Sequence, residues 1–424
     1  MIEQIYKLYS QKYRVTTDSR KIDDGCVFVA LKGEHFDGND FAYQVANDNI
    51  AACVIADRKD LPYHERLFIV DDSLTALQQL AKMHRERCGI PVIAITGTNG
   101  KTTTKELIAA VLSKKYNIIY TQGNFNNHLG LPLTLLQIRP ETEIAVVEMG
   151  ANHPGEIAQL CSIAQPDFGI ITNIGKAHIE GFGSFEGVVK TKNELYQYLK
   201  TKDKSQKTKV FVNGNNDLLM QLSEGMDRVV YEAKDERLKA KDRSPFLEVE
   251  WEGKNIKTNL VGDYNYENVM AAITIGRHFK VEDELIIEAL ESYSPTNNRS
   301  QYIKTDKNEI VMDAYNANPT SMSHSIKNFR NISGDEHLLI LGDMRELGHE
   351  SAEEHHKIIM LLKELDFKNV MLVGEEFKKV NDSYDSYTNI DELVEHIKEN
   401  DISGCKILVK GSRSVRLEKV INLL

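Results

Sequence analysis

A chain of 424 residues is longer than one hydrophobic core ordinarily serves, and at roughly 150 residues per domain about three domains are expected. Hydrophobic residues at 41% and charged residues at 27% exclude the disordered and fibrous classes, and a net charge of -11 repels polyphosphate from most of the surface, so no nucleic-acid partner is expected. Five scattered cysteines without a CxxC pair argue against a disulfide framework or thiolate zinc site, and no apolar run approaches the roughly 18 residues of a membrane span; the expectation is a cytoplasmic protein with no membrane insertion.

In chain order, β-rich runs at 26–31, 51–56 and 67–70 and a helical stretch over 73–87 predict a small α/β domain ending near residue 88. Gly89-Ile90-Pro91 restarts the chain. A strand at 92–96, a helix over 102–115, a strand at 144–148, a helix opening at Pro154 and a strand at 169–174 then alternate, as βαβ units on a mostly parallel sheet do. In the helix after Pro154, Ile157, Leu160, Cys161 and Ala164 fall at i, i+3, i+4 and i+7 and form one packing face.

Between 200 and 260 the pattern turns irregular. The Lys-rich run 200–209 predicts a solvated loop, and Leu247, Val249 and Trp251 alternate with Glu248 and Glu250 as a half-buried strand does. Helices over 265–279 and 281–293 precede Ser294-Pro295-Thr296-Asn297-Asn298, whose composition suits a hinge. Strands at 310–312, 338–341, 370–373 and 407–409 then alternate with helices in a Rossmann-like pattern. The expected fold class is α/β in three domains, 1–88, 89–293 and 294–424.

The strongest chemical signal is Gly97-Thr98-Asn99-Gly100-Lys101-Thr102-Thr103, set between an apolar strand and an amphipathic helix. Glycines let backbone N–H groups turn onto phosphate oxygens, the helix N-terminus favours negative charge, Lys101 can neutralise β/γ charge, and Thr102 offers a hydroxyl to Mg²⁺. The loop is a short variant, with Ile95 where the general pattern has its first Gly. Glu148 ends the strand at 144–148, where an acidic residue can hold the metal of a metal–nucleotide complex, or simply be solvated. His178 follows the next strand and is either structural or a ligand.

Lys192 is the most informative single position. On a helix over 187–200, Val188, Lys192, Leu195 and Leu199 share the apolar face while Lys190 projects oppositely. A buried cation is costly unless paired or altered. Two readings stand: a Lys that snorkels at the edge of the face, or a desolvated low-pKa amine that reacts with CO2 to give a carbamate able to bind Mg²⁺.

These residues carry a family resemblance. ITGTNGKTTTKE, GNFNNHLGLPLTLL, VVEMGANHPGEI, ITNIGKAHIEGFGS and KTKNELY resemble the central ATPase domain of the Mur ligases. Thr17-Asp18-Ser19-Arg20, GCVFVALKGEHFDGNDF, MDAYNANPTSM, ILGDMRELG and LVKGSRSVRLEKV extend the likeness over nearly the whole chain, and YNANP and GDMRELG are most similar to the dipeptide-adding branch.

The resemblance implies an N-terminal domain that binds a UDP-linked substrate, a central ATP-binding domain and a C-terminal ligase domain. It implies that ATP phosphates lie on Gly97, Thr98, Asn99, Gly100, Lys101, Thr102 and Thr103, with Asn265 and Asn268 on the adenine side. Arg299 would approach the phosphates when the C-terminal domain closes, and Asp313, Asn316 and Asn318 would form that domain's nucleotide-side loop. The uridine diphosphate would meet Thr17, Ser19 and Arg20, and Asn127 and His128 would approach the sugar-nucleotide phosphates. Lys101, Glu148, His178 and Lys192 form the implied catalytic set. Thr102, Glu148, His178 and a CO2-derived carbamate on Lys192 would hold two Mg²⁺ ions. The chain departs from the family pattern at Met312-Asp313, where relatives commonly have two acidic residues, and at Asn298, where they have Gly.

The implied activity, in a monomer, is ATP-dependent addition of D-alanyl-D-alanine to a UDP-N-acetylmuramoyl-tripeptide through an acyl phosphate, in peptidoglycan precursor synthesis. The competing readings are a Mur ligase adding another amino acid, a folylpolyglutamate-type ligase, and a non-catalytic nucleotide-binding scaffold. GKTTTK in place of GKGS disfavours the folate type.

Overall fold

The computed structural model describes residues 1–177, 179–202, 208–232, 245–296, 298–334 and 336–424. Among the described residues, short runs rich in Val, Ile and Leu form three larger sheets and one two-stranded hairpin. The first consists of β1 (Val15–Thr16), β2 (Val27–Val29), β3 (Cys53–Ala56) and β4 (Leu67–Ile69), parallel in that order.

The second sheet holds β5 (Val92–Thr96), β6 (Ile118–Tyr120), β7 (Ile144–Glu148), β8 (Phe168–Ile171), β9 (Lys209–Asn213) and β10 (Arg228–Tyr231). Its order is β10-β9-β8-β5-β7-β6, parallel throughout. Helices on both faces bury β5 and β7 completely, which is why both read as unbroken apolar runs. The chain winds from β5 to β6 and β7 on one side, then crosses to β8 on the other. The loops after β5 and β8 therefore emerge at the point where the winding reverses, where open α/β sheets bind ligands.

An antiparallel hairpin, β11 (Phe246–Trp251) and β12 (Lys254–Val261), precedes the third sheet. The latter comprises β13 (Gln301–Lys304), β14 (Glu309–Asp313), β15 (His337–Gly342), β16 (Asn369–Val373), β17 (Asp385–Tyr387) and β18 (Lys406–Lys410), in the order β13-β14-β18-β15-β16-β17. Only β13, at the edge, runs antiparallel to its neighbour. The insertion of β18 between β14 and β15 brings the carboxyl ends carrying Asp313 and Lys410 side by side.

The first sheet unit does not keep a wholly separate core. Its helix Ser73–Cys88 packs against the helices Gly130–Leu135 and Glu156–Ala164, and Tyr9, Leu77, Leu80, Leu131, Leu135 and Leu160 belong to one continuous buried cluster. Arg85, buried on that helix, donates to the carbonyls of Ala164 and Gln165 and pairs with Asp167 at 2.8 Å.

Several boundaries differ from expectation. The helix expected to open at Pro154 begins at Glu156, because Gly155 at its N-cap adopts φ 88 and leaves Pro154 in the preceding turn. The strand expected over 169–174 ends at Ile171, and Thr172 and Asn173 turn back onto the glycine-rich loop. β6, β9 and β10 are short; of the run 200–209 expected as a loop, Lys200 and Thr201 end the helix Phe185–Thr201, Lys209 opens β9, and 203–207 lie outside the described residues. Asn297 of the expected hinge lies outside them as well.

Candidate active site

The glycine-rich loop is the turn from β5 into the helix Lys101–Leu112. Gly97 has φ 142 and a Cβ there would lie 2.1 Å from Thr172 Oγ1; Gly100 has φ 77 and a Cβ there would meet Asn268 Oδ1 at 2.6 Å. Both positions therefore require glycine. The loop after β8 secures it: Asn173 Oδ1 accepts from the Asn99 N–H (3.0 Å), Thr172 Oγ1 donates to the Asn99 carbonyl (2.6 Å), and Thr98 Oγ1 accepts from the Gly175 N–H (2.9 Å). Lys101 Nζ folds back to donate to the carbonyls of Gly97 (2.9 Å) and Thr98 (3.0 Å). Burial pulls its ammonium down to about 8, Arg299 adds to the fall and Glu148 opposes it.

Glu148, 1% exposed at the end of β7, accepts from Thr102 Oγ1 (2.9 Å) on one oxygen and from Asn126 Nδ2 (2.8 Å) on the other. A hydroxyl and a carboxylate thus meet at a helix N-terminus beside the phosphate loop, a pair of hard oxygen donors suited to Mg²⁺. Among the described residues no group of three His, Cys, Asp or Glu side chains is placed to hold a metal ion.

Lys192 faces the protein interior. It is 2% exposed on the helix Phe185–Thr201, with Nζ 5.4 Å from the centroid of Phe182, while Lys190 is exposed as the helical spacing predicts. Burial first, and then the charge of Lys101, lower its ammonium from the ordinary 10.5 to about 7, against the pull of Glu156, Glu194 and Glu148. The snorkelling alternative does not hold for a side chain this buried. A free amine at that pKa is nucleophilic near neutrality, and its carbamate would present oxygens. His178 lies outside the described residues.

Asn265 and Asn268 are both buried. Asn268 Nδ2 donates to Asn265 Oδ1 (2.9 Å), Asn268 Oδ1 accepts from Thr104 Oγ1 (2.9 Å), and Asn265 Nδ2 donates to the Val261 carbonyl (2.8 Å). The pair thereby ties the helix Tyr266–His278 to the helix behind the phosphate loop.

From the third sheet unit, Asn318 caps the helix Pro319–Asn331 through its Oδ1, while its Nδ2 donates to Asn99 Oδ1 at 2.8 Å. Asp313 accepts from Lys410 Nζ (2.5 Å) and Ser325 Oγ (3.1 Å). Asn316 Oδ1 accepts from the Ala317 N–H. The Arg299 guanidinium lies 3.8 Å from the Tyr315 ring centroid, and its Nε makes no hydrogen bond.

A cavity of about 860 Å³ gathers these parts: Thr98, Asn99, Gly100, Lys101, Thr103 and Glu148, with Asn265, Asn268, Arg299, Asp313, Asn316 and Asn318, all line it. Asn127 and His128 line it too. Asn127 Oδ1 accepts from the Gly130 N–H (2.8 Å), and the His128 carbonyl accepts from Gln78 Nε2 (2.9 Å), which ties this loop to the first unit. Gly97, Thr102 and Lys192 are buried and are not among the lining residues.

Thr17, Ser19 and Arg20 stand apart from that cavity, in the turn after β1. The exposed Arg20 fork clasps Asp18 at 2.9 and 3.0 Å and holds its carboxyl down to about 2. The sequence reading did not single out Asn126, Asn173, Tyr315, Lys410 or Arg413. Asn173 and Lys410 had a detectable signal, since each follows or ends a strand at the carboxyl edge of its sheet.

A phosphate loop at the switch point of a parallel sheet, overhung by a Rossmann-like unit that touches it, defines a multidomain P-loop protein of the α/β class. Residues 95–276 match the Mur ligase middle domain, 298–413 the Mur ligase glutamate ligase domain, and 12–85 the Mur ligase family catalytic domain. The chain belongs to the Mur ligase family. It is 37% identical to the UDP-N-acetylmuramoyl-tripeptide–D-alanyl-D-alanine ligase of Bacillus subtilis (strain 168), over 96% of this chain and 92% of that one. Among solved structures, MurF from Acinetobacter baumannii superimposes with a TM-score of 0.84 at 29% identity, covering 99% of this chain and 97% of that one. MurF ligase from Thermotoga maritima in complex with ADP gives 0.82 at 28%, covering 97% and 96%.

Proposed function

We propose that this chain is the ATP-dependent ligase that joins D-alanyl-D-alanine to a UDP-N-acetylmuramoyl-tripeptide in peptidoglycan precursor synthesis. One observation carries the reading: Lys101, Glu148, Arg299 and Asn318, from two sheet units, meet around one cavity in a chain whose near-full-length relatives bear the name of that ligase. The resident of the T. maritima structure, ADP, supports ATP as the nucleotide.

In the first step an oxygen of the tripeptide carboxylate attacks the γ-phosphorus of ATP, the bridging P–O bond breaks, and ADP leaves an acyl phosphate behind. The amine of D-Ala-D-Ala then attacks the acyl carbon, loses a proton, and inorganic phosphate departs as the amide forms. Two anions meet in the first step, so the residues must offset their repulsion. Lys101 exchanges its two loop carbonyls for phosphate oxygens, the Gly100 and Lys101 N–H groups at the helix start add donors, and Arg299, with its unsatisfied Nε, takes a further oxygen. Thr102, Glu148, His178 and a carbamate on Lys192 would hold two Mg²⁺ ions, which would supply further charge neutralisation. The third unit over the loop keeps water from the acyl phosphate.

The division of labour follows the three segments: 1–88 takes the UDP-linked substrate through Thr17, Ser19 and Arg20, 89–293 adds Asn127 and His128 to that substrate and takes ATP, and 294–424 completes the site. The protein acts as a monomer in the cytoplasm; among the described residues no helix is long and apolar enough to cross a membrane. Phosphate release at saturating UDP-tripeptide is expected only when D-Ala-D-Ala is present. Release that ignores the dipeptide would overturn this reading.

A further inference from the structure

The helix behind the phosphate loop carries a second lysine, Lys105, which is wholly buried one turn along from Thr102 and does not line the cavity. Its ammonium is satisfied from three sides: Nζ donates to the Thr121 carbonyl at 2.6 Å, pairs with Glu106 at 2.8 Å and lies 5.5 Å from the centroid of the Tyr120 ring. A cation taken out of water is costly even when paired, and an apolar side chain of similar volume commonly holds a helix in place at least as well. The charge therefore matters for what it fixes more than for the packing of the helix.

What it fixes is Thr121, the residue directly after β6, which is also wholly buried. The Thr121 N–H donates to the Val146 carbonyl (3.0 Å), and its Oγ1 accepts from the Glu148 N–H (2.9 Å). β6 pairs with β7 only as far as Tyr120 and Val146, so the threonine hydroxyl holds the last peptide of β7 just beyond the ladder. At the other end of the same residue, Thr102 Oγ1 donates to the Glu148 carboxylate (2.9 Å). Two side chains at i and i+3 on one helix thus hold both ends of Glu148, Thr102 its carboxylate and Lys105, through Thr121, its amide.

We propose that Lys105 is a positioning residue for the metal–nucleotide site: by pinning Thr121 it fixes the end of β7, and with it the place of the Glu148 carboxylate. The assignment rests on the ligase reading, in which Glu148 holds Mg²⁺. A metal-binding carboxylate has to be held to within about half an ångström, and the groups behind it set that precision. Lys105 does so without touching nucleotide or substrate.

The test follows binding of β,γ-imido ATP by calorimetry, across a Mg²⁺ titration and in EDTA, with denaturation curves alongside. Lys105→Met keeps the volume and drops the charge; Thr121→Val keeps the carbonyl and drops the hydroxyl. Each should raise the Mg²⁺ concentration that half-tightens nucleotide binding by about tenfold, the scale for disturbing a metal's outer partners, while the affinity in EDTA stays within about twofold. The double variant should be no worse than the worse single one, because both cut one chain of contacts, and Thr121→Ser should restore the wild-type response. A wild-type Mg²⁺ response in Lys105→Met, or in Thr121→Val should the lysine variant not fold, overturns the proposal; so does a lower melting temperature with the Mg²⁺ response intact. A wild type whose nucleotide affinity ignores Mg²⁺ removes the metal role of Glu148, and this proposal with it, whereas the ligase reading is decided separately by dipeptide-dependent phosphate release.

Discussion

Asn318 Nδ2 donates to Asn99 Oδ1 across 2.8 Å, so the residue that caps a helix of the third sheet unit also grips the middle of the phosphate loop. Nearby, Lys176 pairs with Glu350 (3.3 Å) and Glu354 (3.4 Å), and the Glu180 N–H reaches the Glu346 carbonyl at 3.4 Å. These contacts are polar and partly exposed. Such contacts re-form with water at little cost, so separating this unit from the loop carries little penalty.

Asn99→Ala removes the bridge and leaves the helix cap intact, whereas Asn318→Ala removes both. We expect kcat to fall about three- to tenfold in Asn99→Ala, the loss of one neutral hydrogen bond, with thermal stability nearly unchanged. Asn318→Ala should show the same kinetic loss and an added destabilisation of about 1 kcal/mol from the missing cap. Kinetics paired with denaturation curves check this; a wild-type kcat in Asn99→Ala would remove the bridge from the catalytic cycle.

Lys192→Ala should reduce ligation by about a hundredfold, the usual scale for disturbing a metal's surroundings. Formate or acetate should restore part of it, because a small carboxylate can stand in for the missing carbamate. Steady-state rates across a carboxylate series provide the measurement. Full activity without added anion would dismiss the carbamate.

Burial also ties Lys192 to stability. An unfolded chain keeps this lysine protonated up to about pH 10.5, the folded chain only up to about 7. The folded state therefore carries a penalty that is full below about pH 7 and fades as pH rises toward 10.5, where neither state is charged. In CO2-free buffer, Lys192→Met should melt higher than wild type at pH 7.5, and the gap should narrow by pH 10. A gap that does not change with pH would contradict a desolvated amine at this position.

Among the described residues, Thr102→Ala leaves the Glu148 carboxylate with Asn126 as its one hydrogen-bond donor. The Mg²⁺ concentration for half-maximal activity should rise about tenfold, and Thr102→Ser, which keeps the hydroxyl, should stay near wild type. Titrating Mg²⁺ at fixed ATP distinguishes them. An unaltered Mg²⁺ dependence in Thr102→Ala would separate this hydroxyl from the metal.

The phosphate loop, the buried strands β5 and β7 and the inward-facing Lys192 were legible along the chain, because each depends on local rules: glycine where φ is positive, apolar runs where both sheet faces are covered, helical spacing. The short strands β6, β9 and β10 were not, since three to five residues carry too little periodicity to separate a strand from a loop. Pro154 suggested a helix start that Gly155, at φ 88, moved to Glu156. Asn265 and Asn268 were singled out by motif, but the bond of Asn268 to Thr104 was not, because the two lie 164 positions apart.

Sequence alone thus determined which chemical groups are present and which backbone turns present them, through steric and burial preferences that act over a few residues. Only the tertiary structure decided which of them share a space. The insertion of β18 between β14 and β15 set Lys410 against Asp313 and left Arg413 beside Tyr315, and contact between separate sheet units put Asn318 on Asn99. Those pairings follow from strand order and interdomain packing, which arise from the burial of surfaces distant in the chain and leave no periodic trace in it.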